Sequence, residues 1–147
     1  MHRSARAAAY LSAALLILVD EFIKFWLFFN LKRSVDFKFL FLKFTYVENR
    51  GIAFGVFKRD ALSLCLIFFV VLFFLRSKLF DNVPAIFMVA GAFGNLIDRI
   101  SYGFVIDYIS LSFLPIVFNI SDISIFFGTL FVALSYYLCR KKFFVKR

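Results

Sequence analysis

Residues 94–108 read GNLIDRISYGFVIDY and close a long apolar run. If that run forms a membrane helix, four polar residues lie near the point where the helix leaves the bilayer: Asn95, Asp98, Arg99 and Asp107. Ionisable residues within or beside membrane segments are rare and are the first candidates for a functional site. The stretch therefore predicts a membrane helix with a polar site at its end.

A second polar cluster, residues 118–122 with the sequence FNISD, opens the next apolar run. Its aspartate, Asp122, follows Asp107 by fifteen positions, so each carboxylate lies at the end of an apolar segment. Two carboxyl groups a few ångströms apart do not both ionise easily, and one keeps its proton. The ionised group can take a proton from an attacking water, as in aspartic peptidases, while the other donates to the carbonyl oxygen.

The composition indicates that lipid is the solvent of this chain. Of its 147 residues, 63% are hydrophobic and 25 are Phe, whereas an ordinary soluble domain is about half apolar. The net charge of +9 is attributed to lipid headgroups and orientation signals, and no nucleic-acid partner is predicted. The length fits a single membrane-embedded domain, residues 1–147.

Few residues are available for chemistry other than that of carboxylates. The one histidine is His2, and both cysteines, Cys65 and Cys139, lie inside apolar runs as small buried hydrophobes. A histidine-based catalytic pair would depend on the second residue of the chain, and imidazole or thiolate ligands for a transition metal are scarce. We therefore predict neither a metal site nor a cofactor.

Four apolar segments are long enough, or nearly so, to cross a bilayer. The predicted spans are residues 7–29, 61–76, 83–100 and 122–139. The first is interpreted as a transmembrane helix and not as a cleaved signal peptide, because no small-residue cleavage pattern follows it. Small residues at positions 90–94 give the third span a face for close helix contact.

Asp20 and Lys24 carry opposite charges near the far end of the first span. Their i,i+4 spacing puts them on one face of the helix. They are either a mutually neutralising pair or part of a site.

The 30–60 segment differs in character from the spans. Residues 37–47, FKFLFLKFTYV, are aromatic and β-branched with partial alternation and predict strands, and residues 48–51, ENRG, predict a turn. Bare strand edges are not tolerated in lipid, so this segment belongs at the interface. Residues 101–118 are predicted as a loop. The predicted fold is an α-helical polytopic membrane protein with four transmembrane helices and a small extracytoplasmic β-rich insert.

Four spans place both termini on one side of the membrane. Basic residues at Arg76, Lys78 and positions 140–142 adjoin span ends, where the positive-inside rule weighs most. We therefore predict cytoplasmic termini and an external 30–60 insert. The polar residues that then share the outer layer are Asp20, Lys24, Asn49, Asp98, Arg99, Asp107, Asn119 and Asp122.

Structural roles also account for these residues. Asp122 is a candidate cap for the fourth helix, because it can bond free N–H groups at the helix start. Asp98 and Arg99 are a candidate interfacial ion pair, and Asp107 an ordinary loop acid.

Other functional classes are also open at this point. Asn95 and Asn119 either hydrogen-bond between helices or hold a substrate backbone. A transporter or proton-coupled channel would carry charges distributed across the bilayer depth. A non-catalytic assembly factor would function with Asp107 and Asp122 replaced.

Four motifs, in order along the chain, resemble those of the lipoprotein signal peptidase family, also called signal peptidase II. They are Asp20 to Lys24; residues 49–55, NRGIAFG; residues 91–99, GAFGNLIDR, followed by Gly103 and residues 105–107; and FNISD with Ile125 and Gly128. The chain departs from the family pattern at Ile52 and Ser121, where Ala is usual, and at Ile123, where Ser is common.

The resemblance implies a bacterial inner-membrane aspartic endopeptidase that removes signal peptides from prolipoproteins, cutting before a cysteine that carries diacylglycerol. Asp107 and Asp122 match the catalytic aspartates. The positions that match substrate-binding, globomycin-binding or pocket residues are Asn49, Asn95, Arg99 and Asn119. Those that match supporting polar residues are Asp20, Lys24 and Asp98. The 30–60 insert would be the family's β-cradle, completed by a short helix near 53–59, and would help to hold the lipidated substrate at the membrane surface.

Overall fold

The computed structural model describes residues 3–30, 37–51 and 82–145. Within these ranges the helices are α1 (Arg3–Asn30), α2 (Val83–Tyr102) and α3 (Ile120–Val145). The strands are β1 (Phe37–Phe39), β2 (Leu42–Asn49), β3 (Val105–Leu111) and β4 (Val117–Phe118). The predicted span at 61–76 and the short helix near 53–59 lie outside the described residues, so the count of four transmembrane helices stays a prediction.

Three of the predicted spans fall within helices. The predicted segments 7–29, 83–100 and 122–139 lie within α1, α2 and α3, respectively. Two helical segments, Val83–Tyr102 and Ile120–Leu138, are long and apolar enough to cross a membrane. By contrast, α1 carries three charged residues within five positions, Asp20, Glu21 and Lys24. The structure pairs these charges with one another and with α2.

The prediction of a loop over residues 101–118 is wrong. Half of this segment forms β3 and β4, which extend the sheet begun by β1 and β2. The sheet is antiparallel throughout, in the order β1-β2-β3-β4. Val105, Ile106 and Ile109 supply the β-branched side chains that favour a strand. The polar residues within the segment obscured that pattern.

A register shift in β2 lies beside the polar residues of β3. Phe44 pairs with Ile109, and the next pair is Val47 with Asp107. Between these two pairs β2 therefore has one residue more than β3. Such a bulge bends the strand and redirects its side chains, and bulges are common next to active sites. Here it lies directly before the end of β2, where Asn49 pairs with Val105.

Close contact between α2 and α3 depends on glycine. The small-residue face predicted at 90–94 lies against α3, since a Cβ on Gly91 would meet the backbone carbonyl of Ser121 and the Cβ of Ser124. A Cβ on Gly128 of α3 would lie 2.7 Å from both the backbone nitrogen and the Cβ of Met88 on α2. That distance is shorter than a carbon contact allows, so this crossing requires glycine. The contact fixes the two helices on which much of the polar site is carried.

The outer faces of the helices are apolar and exposed. Leu11, Leu18 and Phe22 of α1 and Phe126 and Phe131 of α3 each expose half or more of their side chain. Contiguous apolar surface of this kind is uncommon on soluble monomers. It is the surface expected of helices that face lipid.

Candidate active site

Asp107 lies on β3 and is almost fully buried. Asn49 lies on β2, two residues beyond Val47, which pairs with Asp107. Its Nδ2 donates a hydrogen bond of 2.8 Å to Oδ2 of Asp107. Diagonal neighbours on one face of an antiparallel pair are within reach of such side chains. Asn119 donates a second bond, 2.9 Å from Nδ2 to Oδ1. Two amides thus hold both carboxylate oxygens.

Asp122 lies in the first turn of α3 and forms a reciprocal cap with Asn119. The backbone N–H of Asp122 donates to Oδ1 of Asn119 at 2.8 Å, and the backbone N–H of Asn119 donates to Oδ2 of Asp122 at 3.2 Å. Asn119, not Asp122, therefore occupies the N-cap position of α3. Asp122, three residues later, completes the capping box by accepting the backbone N–H of Asn119. Asn95 of α2 donates a further bond, 2.7 Å, to Oδ1 of Asp122.

Asn119 joins the two aspartates to each other. Its side chain is fully buried, contacts Asp107 through Nδ2 and receives the backbone N–H of Asp122 at Oδ1. Nδ2 also lies 3.2 Å from Oδ1 of Asn95. The structure thus brings together four predicted site residues, Asp107, Asn119, Asn95 and Asp122, in one hydrogen-bonded network, with Asn49 at its β2 edge.

The two carboxylates interact electrostatically. Burial raises the pKa of Asp107, the negative charge of Asp122 raises it further, and the result is a pKa of about 7. The hydrogen bonds from Asn49 and Asn119 act in the opposite direction, because they stabilise the ionised form. A pKa this high means that one proton is kept by the two carboxylates up to about neutral pH. Such a pair can donate and accept a proton in one reaction.

A buried ion cluster supports this network from α1. Nζ of Lys24 lies 2.8 Å from Oδ2 of Asp20 and 3.0 Å from Oδ2 of Asp98, and all three side chains are fully buried. Nζ also donates to Oδ1 of Asn95 at 3.3 Å. The i,i+4 pair is thus part of the site's support, because the same ammonium group contacts both a second carboxylate and a network asparagine.

Asp98 and Arg99 do not form the ion pair considered from the sequence. Asp98 pairs with Lys24 and accepts the backbone N–H of Ile106 at 3.1 Å. Arg99 instead donates to two backbone carbonyls, that of Gly51 at 2.7 Å and that of Asn95 at 3.2 Å. Successive residues of a helix point in different directions, so the two side chains serve different partners. Arg99 thus joins the residues that directly follow β2 to α2.

Two hydroxyl groups that contact the site were not predicted from the sequence. Tyr108 donates 2.7 Å from its phenol to Oδ1 of Asp20, and Ser121 donates 2.6 Å from Oγ to Oδ2 of the same residue. One sequence feature could have indicated them, because each is the direct neighbour of a predicted site aspartate. Within the described residues, no group of three or more His, Cys, Asp or Glu side chains is arranged to hold a metal ion.

The fold and the site together define a membrane protein whose buried aspartates, Asp107 and Asp122, are joined by asparagine amides where helices meet a small sheet. The chain belongs to the signal peptidase II family, because the family model described as "Signal peptidase (SPase) II" matches residues 12–138. The resemblance noted from the four motifs is thereby confirmed, and the protein is a bacterial membrane protease.

Individual relatives agree with this assignment. The lipoprotein signal peptidase of Clostridium acetobutylicum is 35% identical over 133 residues, which cover 80% of this chain and 86% of the relative. That of Wigglesworthia glossinidia brevipalpis is 36% identical over 145 residues, covering 88% and 91%. A solved bacterial membrane enzyme at 2.3 Å resolution shares the fold, with a TM-score of 0.79 at 23% identity over 89% of this chain and 88% of that one.

Proposed function

We propose that this protein is an aspartic endopeptidase that removes the signal peptide from diacylglyceryl-modified prolipoproteins, cutting before the lipidated cysteine, with Asp107 and Asp122 as the catalytic pair. The observation that carries the proposal is the network in which Asn119 contacts both aspartates. Family membership supports the substrate class. The paired carboxylates support the reaction type.

The proposed reaction uses the proton that the pair shares. The ionised carboxylate takes a proton from a water molecule as that water attacks the scissile carbonyl carbon. The protonated carboxylate gives its proton to the carbonyl oxygen, which forms a tetrahedral diol. In the collapse, the carboxyl that took the water proton donates it to the leaving nitrogen and the other carboxylate takes a proton from one hydroxyl of the diol. The C–N bond breaks, and the pair again holds one proton. Because the two groups titrate together, the shared proton belongs to the pair rather than to either residue.

The asparagine amides support the orientation of this pair. Asp107 accepts bonds from Asn49 and Asn119, and Asp122 accepts one from Asn95. Carboxylates whose rotation is fixed present defined oxygens to the water and the substrate. The amides of Asn49 and Asn95, and the guanidinium of Arg99, are also the proposed contacts for the substrate backbone or for globomycin-type inhibitors.

An apolar surface on the sheet supports lipid contact. Leu40 and Phe41 in the β1–β2 turn and Phe113 and Leu114 after β3 are exposed. The backbone N–H of Ser112 donates to the carbonyl of Phe41 at 2.9 Å, which holds the two turns together. We propose that this surface contacts the lipid headgroup region and the acyl chains of the substrate, so that membrane partitioning helps position the scissile bond.

The candidate site residues of the helices lie toward one end of each helix, which supports a site near one face of the membrane. In α1 they are at 20–24, and the helix ends at Asn30; in α2 they are at 95–99, and the helix ends at Tyr102. In α3 the site residue is Asp122, and the helix begins at Ile120. A relay across the bilayer would need charges at intermediate depth. The proposed orientation has both termini in the cytoplasm of a bacterial inner membrane and the site near the outer face.

The test is processing of a lipid-modified prolipoprotein by purified Asp107→Asn and Asp122→Asn variants. Both are expected to lose at least about a thousandfold in rate, because neither can complete the proton cycle. Glu48→Gln is the matched control, since it neutralises an exposed carboxylate on β2 that pairs with exposed Arg50. Cleavage by both aspartate variants at the wild-type rate would refute the proposal, and full processing of an unlipidated precursor would refute the lipidated substrate class.

A further inference from the structure

Asp20 of α1 accepts four donors although no part of its side chain reaches solvent. Oδ1 receives the phenol of Tyr108 at 2.7 Å and the backbone N–H of Ile120 at 3.2 Å. Oδ2 receives the hydroxyl of Ser121 at 2.6 Å and pairs with Nζ of Lys24 at 2.8 Å. An ionised carboxylate has lone pairs for all four. This side chain is therefore held on both oxygens by two other elements of the fold.

The two hydroxyl donors are the sequence neighbours of the proposed catalytic residues. Tyr108 directly follows Asp107 on β3, and Ser121 directly precedes Asp122 on α3. Neither Tyr108 nor Ser121 contacts Asp107 or Asp122 through its hydroxyl. Both act on a carboxylate that belongs to a third element, α1. A single carboxylate thus contacts both the strand that carries one aspartate and the helix turn that carries the other.

Both donors are confined. Burial, together with the neighbouring charge of Asp20, raises the pKa of the Tyr108 phenol, so the phenol stays protonated and donates. The Ser121 hydroxyl lies against α2 at Gly94, where a Cβ would lie only 2.5 Å from Oγ. Hydrogen bonds to a charged group are stronger than neutral ones. The two bonds are thus short, charge-assisted and sterically enclosed.

We infer that Tyr108 and Ser121 are positioning residues of the peptidase, whose hydroxyls, bonded to the two oxygens of Asp20, fix the separation and orientation of Asp107 and Asp122. This inference rests on the proposed function, because it concerns the geometry of the catalytic pair. Catalytic groups must be held to a fraction of an ångström, and small displacements cost large factors in rate. Neither hydroxyl is assigned to substrate contact.

The test compares purified Tyr108→Phe and Ser121→Ala enzymes with the wild type in cleavage of a lipid-modified prolipoprotein. Each substitution removes one oxygen and leaves the apolar volume nearly unchanged. We expect kcat to fall on the order of tenfold in each, the size of one charge-assisted hydrogen bond, with KM within about twofold. A merely structural role would instead lower the folded fraction and leave the kcat of the folded enzyme unchanged.

The double variant tests the shared carboxylate. Because both hydroxyls restrain the same side chain, loss of one lets Asp20 rotate and weakens the other, so the combined loss is expected to be well below the product of the single losses. Ser124→Ala and Tyr136→Phe are the matched controls. Ser124 donates only to the carbonyl of Ile120 in its own helix, and Tyr136 is exposed on α3. Both controls are expected to keep the wild-type kcat.

The outcomes separate this inference from the proposed function. If Asp107→Asn is inactive while Tyr108→Phe and Ser121→Ala keep the wild-type kcat, the positioning role is refuted and the proposed function stands. Losses that multiply in the double variant, or that reside in KM, also refute it. If Asp107→Asn cleaves normally, the proposed function itself fails. Kinetics are taken on monodisperse enzyme with an unchanged circular dichroism spectrum, and if one variant does not fold, the other decides.

Discussion

Asn49 donates a 2.8 Å hydrogen bond to Asp107 across neighbouring strands. The bond depends on the β2 bulge and on the register that pairs Asn49 with Val105. It stabilises the ionised form of Asp107 and thus opposes the effects of burial and of Asp122 on its pKa. Through this hydrogen bond, the bulge in β2 influences the pKa of Asp107.

The pH dependence of the wild-type enzyme follows from this pair. The pKa of Asp107 is raised to about 7, so the pair keeps its shared proton below that pH and loses it above. Because one carboxyl must donate a proton in catalysis, kcat is expected to fall as the pH rises through about 7. The measurement is kcat for a lipid-modified prolipoprotein over a pH series in one detergent. A kcat that is constant to about pH 9 would contradict the shared-proton mechanism.

Replacing Asn49 is expected to move this decline to higher pH. Asn49→Ala removes a donor that lowers the pKa of Asp107, so the pKa rises and the proton is kept to a higher pH. The maximal kcat is also expected to fall, on the order of tenfold, because Asp107 loses one of its two restraints. Glu48→Gln, on the adjacent exposed position, is the control and should leave the pH profile in place. A decline that stays in place or moves to lower pH would show that Asn49 does not act through Asp107.

The sequence predicted which polar residues lie together in the candidate site better than it predicted the contacts between them. Apolar patterning and the four motifs predicted Asp107, Asp122 and the asparagines as site residues. They did not show that Asn119 caps α3 while contacting Asp107, because that needs the register of β3 against the helix start. The neighbours Asp98 and Arg99 suggested an ion pair, but adjacent helical residues diverge, and the ammonium group that Asp98 contacts is 74 positions away at Lys24.

The hydroxyls of Tyr108 and Ser121 illustrate the same limit. A tyrosine in a β-branched segment is typical of a strand, whatever its phenol contacts. Its partner, Asp20, lies 88 positions away, and that of Ser121 lies 101 positions away. Such contacts follow from helix packing, which periodicity does not specify. The strand β3 was missed for a related reason, since the polar residues that make it a site also hide its alternation.

Removal of the buried cation should destabilise the fold. Lys24→Met leaves Asp20 and Asp98 buried without their shared ammonium group, and breaking a buried pair in this way costs about 3–5 kcal/mol. Thermal unfolding of the purified variant is expected at a clearly lower temperature. The double variant Lys24→Met/Asp98→Asn should recover part of the loss, because one unpaired charge is removed. A single variant that unfolds like the wild type would show that the cluster is not a structural support.

Enlarging Gly128 should separate α2 from α3 and disturb the aspartate network. A Cβ at this position would overlap the backbone of Met88, and overpacking of a tight contact costs about 1–3 kcal/mol. Gly128→Val is expected to lower both the unfolding temperature and kcat, because α2 carries Asn95 and α3 carries Asp122, and their 2.7 Å bond spans the two helices. Ala133→Val adds the same kind of bulk at an exposed position of α3. If Gly128→Val retains the wild-type kcat and unfolding temperature, the helix contact is not what holds Asn95 against Asp122. If the two valine variants lose activity equally, the loss reflects bulk on α3 in general rather than the crossing at Met88.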